Sequence, residues 1–274
     1  MSTRAPTRIV HRVEHGEDRR EVLATTYQMR NFYRQLGDGF FTRLDVFNYA
    51  SHHQIARWAS SRPGAQLLDV CCGRGLLLPL LRYHAKGLGG YTGLDIEPRN
   101  ATWQRQRVTD GKRINPDDYY PFPTRFVGGD VADSDELLAG ERFDLIVYTA
   151  SIEHMHPDHG RRSLHALRAL AADRALLVLT APNTPEDQDG YATARRAHVY
   201  EWKLSELRGA LALAHWQVAD CWGLDMSVTQ LGKLMDPRLL GRLSKFVPPD
   251  WLGPMLAAPY PDQASEVGLL CTPS

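Results

Sequence analysis

Apolar residues along the chain fall into two regimes. Up to about residue 62 they recur at helical spacing. From residue 66 to 182 they gather in short, nearly continuous runs bounded by Gly, Asp or Pro. Residues 21–37, EVLATTYQMRNFYRQLG, read as a helix that Gly37 and Gly39 break. Leu44, Phe47, Ile55 and Trp58 mark a second helix that Pro63-Gly64 ends. The runs at 66–72, 90–96, 124–130, 143–150 and 174–182 lack polar alternation, as strands covered on both faces do. Between the last two, Pro157 suits a first helical turn and Leu164, Leu167 and Leu170 repeat every third residue, so 157–171 is expected to be a helix. Two further strands, at 215–224 and 265–273, bracket a segment with six prolines and short helical pieces. The expected fold is α/β: a doubly wound, mostly parallel, seven-stranded sheet with right-handed crossovers. The expected organisation is a loose arm over 1–20, a helical lid over 21–62 and a main domain over 63–274, with an insert at 225–262 covering the ligand.

Composition adds exclusions. Hydrophobic residues make up 43% of the 274, enough for a sizeable core. Lys+Arg and Asp+Glu number 32 each, so no overall positive charge draws the chain to nucleic acid. No apolar stretch reaches the ~20 residues of a membrane helix. The first twenty residues carry no apolar secretory core, and four cysteines, Cys71 and Cys72 adjacent, lack zinc spacing. The expectation is a reduced, cytoplasmic protein without metal.

The first strand runs into Asp69-Val70-Cys71-Cys72-Gly73-Arg74-Gly75. Open parallel sheets hold ligands beyond the carboxyl ends of their strands, and glycines there let the backbone approach. A phosphate loop would need a Gly-Lys-Ser/Thr ending, which is absent. A dinucleotide turn wants a third glycine, where the chain has Leu78. S-adenosylmethionine asks for an acid on the first strand and another ending the second, and Asp69 and Asp95 stand at those places.

The succession LLDVCCGRG, YTGLDI, FVGGDV and FDLIVYTASIEH resembles the class I S-adenosylmethionine-dependent methyltransferases over about residues 55–223. Cys71 stands where that family usually has its first glycine. The resemblance implies that Asp69, Cys71, Gly73 and Gly75 form the cofactor turn and that Asp95 holds the ribose. It further implies that Ile96 packs on adenine and that Asp130 with Val131 faces the adenine amino edge. Thr149, at the end of the fourth strand, is assigned to the same cofactor set.

The fourth strand runs into TASIEHMHPDHGRR, which carries Glu153, His154, His156 and His159. Residues there should face the methyl group, and a histidine can take the acceptor's proton. His154 is the leading base, with Glu153 orienting it or the acceptor. Glu153, His154 and the later His198 also resemble three of the metal ligands of small-RNA 3′-terminal 2′-O-methyltransferases. The first glutamate of that motif falls on Ala150, so one carboxylate is missing, and His198 is read instead as a residue that closes the active site. The reading favours a small-molecule acceptor; RNA and a non-catalytic binding protein remain the alternatives.

Overall fold

The structure is a computed structural model that describes residues 43–73, 75–96, 107–109, 112–114, 120–194, 198–247 and 249–274. The arm over 1–20 and the helix expected at 21–37 lie outside them. Nine strands are described: β1 (Gln66–Val70), β2 (Gly90–Asp95), β3 (Arg107–Thr109), β4 (Lys112–Ile114), β5 (Thr124–Gly128), β6 (Phe143–Thr149), β7 (Ala171–Pro182), β8 (Trp216–Asp225) and β9 (Glu266–Pro273). Seven form one sheet in the order β5-β2-β1-β6-β7-β9-β8, and β3 with β4 makes a separate hairpin. The pairs from β5 to β7 are parallel; β9 runs antiparallel between β7 and β8. The sheet matches the expectation. The hairpin was not foreseen, because three-residue strands carry too little apolar pattern to read.

The helices are α1 (Arg43–Ser60), α2 (Leu78–His84), α3 (Ser134–Leu137), α4 (Pro157–Leu170), α5 (Gly190–Thr193), α6 (Leu204–Leu213), α7 (Val228–Leu234), α8 (Pro237–Leu243) and α9 (Pro249–Leu256). Successive strand residues point to opposite faces. Leu68, Ile146 and Leu177 therefore pack with Leu164, Leu167 and Leu170 of α4 and with Leu207 and Leu211 of α6. Leu67, Leu145 and Val178 face the other way, onto Leu78 and Leu81 of α2 and onto Ile55, Ala56 and Ala59 of α1. Two buried faces explain the absence of polar alternation. The described part of the expected lid thus joins the core of the sheet through α1. The insert is docked as well: Met226, Leu231, Leu240 and Leu252 are buried, and α9 lies against β8 and α1. Phe246 and Met255 on the insert are exposed.

Two strands meet closely at Gly93 of β2, where a Cβ would stand 2.6 Å from the Phe126 ring and 2.9 Å from Cys72 Sγ. Gly93→Ala is expected to destabilise the fold by about 1–3 kcal/mol through overpacking, read as a lower urea midpoint at unchanged slope.

Candidate functional site

The chain adds β2 and β5 on one side of β1 and then returns to place β6 on the other. Connections leave β1 and β6 in opposite directions, so a crevice opens beyond their carboxyl ends. A cavity of about 580 Å³ lies there, lined by Cys71, Leu94–Ile96, Gly129–Val131, Ala150, Ser151, His154–His156, His159 and Val199. A larger hollow of about 770 Å³ sits at the opposite edge, beside the first residues of β1, β2 and β5, and is lined by aromatic and proline residues together with Gln66, Thr92, Thr124, Arg125 and Glu141. Among the described residues it offers no convergent acids or histidines outside the paired Arg125 and Glu141.

The turn after β1 is built from left-handed residues: φ is +53° at Cys71, +51° at Gly73 and +66° at Gly75. The two glycines adopt this conformation without the cost that Cys71 bears at the position where the family has glycine. The Gly75 N–H donates to the Cys72 carbonyl at 2.7 Å. α2 begins only at Leu78 and has no side-chain cap. Among the described residues of this turn, Cys71 lies on the cavity wall.

The acids occupy different environments. Asp95, ending β2, lines the cavity and accepts the Gly73 N–H at 2.8 Å, which ties the second strand to the turn. Asp130 begins the turn Val131–Asp133, and its Oδ1 accepts from Ala132 N and from His159 Nε2, each at 2.8 Å. Burial alone would raise the Asp130 pKa. The Ala132 N–H, His159 and Arg162 outweigh it and hold the carboxyl below its ordinary range. Asp69 is not on the cavity wall. It is buried behind the turn and accepts the Tyr91 hydroxyl at 2.7 Å. Burial raises its pKa to about 7, against the lowering effect of the Tyr91 bond and with added repulsion from Asp95. Cys71 does line the cavity, and its thiol is pushed up to about 12 by burial and then by Asp95 and Asp69, so it stays neutral.

Ile96 is 72% exposed at the cavity rim, an apolar surface without a protein partner over it among the described residues; Val131 is buried in the wall. Thr149 and the two glycines do not reach the wall. The Thr149 carbonyl accepts the Ser151 hydroxyl at 2.7 Å, and Ala150 and Ser151 face the cavity instead. Sequence pattern gives no signal for that exchange, because it depends on Ala150 turning through a φ of +47°.

Past β6, the turn Ile152–His154 buries Glu153 and exposes His154 to the cavity. The Glu153 carbonyl accepts Val199 N at 2.8 Å and Tyr200 N at 3.1 Å, which brings His198 over the turn. One ligand atom each of Glu153, His154 and His198 lies within 4.8 Å of the others. The His154 and His198 rings meet edge to face at 5.0 Å. His198 Nδ1 is held at 2.6 Å by Glu201, a buried acid outside the expected set of site residues. Its three-residue spacing in HVYE was the available signal. His156 and His159 also reach the wall, but His159 is engaged by Asp130. No residue of the insert lines this cavity among the described residues. Gln230, Lys233 and Leu234 instead border a separate hollow of about 340 Å³ beside Asn183.

Asp69 makes stability depend on pH. Its folded pKa near 7 exceeds the unfolded value of about 4, so the folded chain binds more protons and loses stability as pH rises between those values. Asp69→Asn, whose amide oxygen can still accept from Tyr91, is expected to flatten that decline, measured as melting temperature against pH from 4 to 8.

Residues 42–242 match the family model described as Methyltransferase domain. Among solved structures, the chain is similar to CalO1, a methyltransferase in calicheamicin biosynthesis, in its SAH-bound form (16% identity, 82% of this chain, 54% of that chain, TM-score 0.49). It is also similar to a TehB-like SAM-dependent methyltransferase from Corynebacterium glutamicum (13% identity, 92% and 98%, TM-score 0.51). A third is the small RNA methyltransferase HEN1 (15% identity, 83% and 25%, TM-score 0.52). The chain spans about half the length of the first and a quarter of the last. No curated protein sequence matches it significantly. With a family model covering most of its length, laid over the doubly wound sheet that the motifs implied, the chain belongs to the methyltransferase domain family.

Proposed function

We propose that the chain transfers the methyl group of S-adenosylmethionine to an oxygen or nitrogen atom of a small-molecule acceptor. The observation that carries this reading is the division of the cavity. Asp95 and Asp130 flank it on the β2–β5 side, and His154 faces it from the β6 side. Two carboxylates suit ribose hydroxyls, an adenine amine and a cationic sulfur, and they oppose a pyrophosphate. When bound, S-adenosylmethionine supplies a methyl carbon activated by its positively charged sulfur. Asp95 would hold the ribose, Ile96 would cover one adenine face, and Asp130 with Val131 would read its edge. Methyl transfer to the acceptor's oxygen or nitrogen would leave the donor as neutral S-adenosylhomocysteine. His154 takes the acceptor's proton on a ring nitrogen, and the walls keep the reacting atoms in line. Met155, Val131, Leu94 and Val199 give the cavity an apolar lining that favours a small, partly apolar acceptor.

The convergence of Glu153, His154 and His198 favours a second reading, metal-assisted methylation of a terminal ribose. Two imidazoles and one carboxylate do not fit the oxygen-rich coordination of Mg²⁺. The test is formation of S-adenosylhomocysteine against a panel of small acceptors and short RNAs, with and without a chelator. Activity on a small acceptor that survives chelation supports the first reading. Activity confined to RNA and abolished by the chelator overturns it in favour of the second. Absence of product with every acceptor, despite cofactor binding, leaves the chain a binding protein.

Two variants check the assigned roles. Asp95→Ala is expected to weaken cofactor binding by ~1–3 kcal/mol, the loss of hydrogen bonds to a carboxylate, measured by titration calorimetry. His154→Ala is expected to lower turnover by about 10²–10⁴ with cofactor affinity kept, measured under saturating donor.

A further inference from the structure

The Asp130 carboxylate does not stand alone at the cavity. α4 packs against the turn Val131–Asp133, and its buried Leu164 and Leu167 fix it to the sheet. His159 and Arg162 lie three residues apart on α4 and so share one face. His159 Nε2 meets Asp130 Oδ1 at 2.8 Å, and Arg162 meets His159 Nδ1 at 2.9 Å. An arginine can only donate, so Nδ1 is the acceptor and Nε2 carries the hydrogen that is given to Asp130. A neutral imidazole satisfies both contacts. Both protein bonds to the carboxylate fall on Oδ1, the other coming from Ala132 N, so Oδ2 accepts from no described residue. Asp130 and His159 both line the cavity.

We propose that Arg162 and His159 form a positioning relay that locks the Asp130 carboxylate, so that Oδ2 selects a ligand base bearing an exocyclic amine. The proposal rests on the cofactor reading above and deepens it by naming what sets base specificity. A carboxylate oxygen accepts from a 6-amino group and repels a 6-oxo group. That discrimination requires the carboxylate to stay put, and a relay on a helix anchored in the core supplies the restraint. His159 is thereby a positioning residue and not the acceptor's base.

Calorimetric titration of the full chain with S-adenosylhomocysteine and with S-inosylhomocysteine, its 6-oxo counterpart, tests this. The wild-type chain is expected to prefer the amine. His159→Phe is expected to lower the preference ratio about tenfold, the scale of one hydrogen bond to a charged group. His159→Gln, which can still donate to Oδ1, is expected to retain most of the ratio. Arg162→Met frees Nδ1 to take the hydrogen and is expected to lower the ratio by a smaller factor. A purely structural role would weaken both ligands alike, so an unchanged ratio in His159→Phe overturns the proposal. Where His159→Phe loses the wild-type circular dichroism, an unchanged ratio in Arg162→Met does the same. Asp95→Ala serves as reference. If it weakens S-adenosylhomocysteine while the ratio is unmoved by changes at 159 and 162, the relay alone falls; a wild-type chain that binds neither ligand overturns the cofactor reading and the relay together.

Discussion

The reversal of strand order beside β1 is the constraint from which the rest follows. Because β2 and β5 grow outward on one side and β6 and β7 on the other, the loops after β1 and β6 part company. A parallel sheet must send each crossover to one face or the other, and where the direction changes no helix fills the gap. The chain lines that gap with the ends of four strands. Cys71 follows β1, Asp95 ends β2, Asp130 follows β5, and Ala150 and Ser151 follow β6. The bond from Gly73 N to the Asp95 carboxylate ties two of these ends together.

Three acids near one edge of a sheet repel one another, and the structure treats each differently. Asp69 is withdrawn into the interior and pushed toward neutrality, with the Tyr91 hydroxyl donating to its Oδ2. Asp130 is stabilised as an anion by a turn N–H, His159 and Arg162. Asp95 is braced by a backbone N–H of the turn. The same residue type thus serves as a buried acceptor behind the turn and as a charged group at the wall, and burial against hydrogen bonding decides which. A site so arranged is suited to hydroxyls, amines and a cation, in agreement with the absence of any phosphate-binding ending in the turn.

On the opposite wall, organisation comes from backbone pairing between distant loops. The Glu153 carbonyl receives two N–H groups from Val199 and Tyr200, and that contact carries His198 to His154. Glu201 then fixes the His198 ring from behind. Carboxylate–imidazole pairing of this kind sets ring orientation and the acceptor nitrogen, whether the ring closes the site or takes part in its chemistry. The buried Trp202 lies beside this loop, with the Arg161 guanidinium 5.5 Å from its ring centre, so the loop is held by packing as well as by hydrogen bonds.

Hydrophobic patterning alone specifies the sheet. Runs such as LLDV and FDLIVYT are apolar at consecutive rather than alternate positions, because neighbouring residues enter different cores, and a chain with that pattern has few other ways to bury it. It also marked Asp95 and Asp130, since an acid at the end of an apolar strand emerges at the carboxyl edge whatever the details of packing. Leu164, Leu167 and Leu170 identified α4 by spacing alone. Contacts between residues far apart in the chain arise instead from how the elements pack. Tyr91 turned Asp69 inward, 22 positions away, and His159 engaged Asp130 across 29. Ala150 and Ser151 displaced Thr149 from the wall through a left-handed turn, and the β3–β4 hairpin formed where no apolar run announced it. Hydrophobic periodicity records which face a residue must hide; it carries no record of which polar group from another element will meet it there, because that follows from how the elements stack.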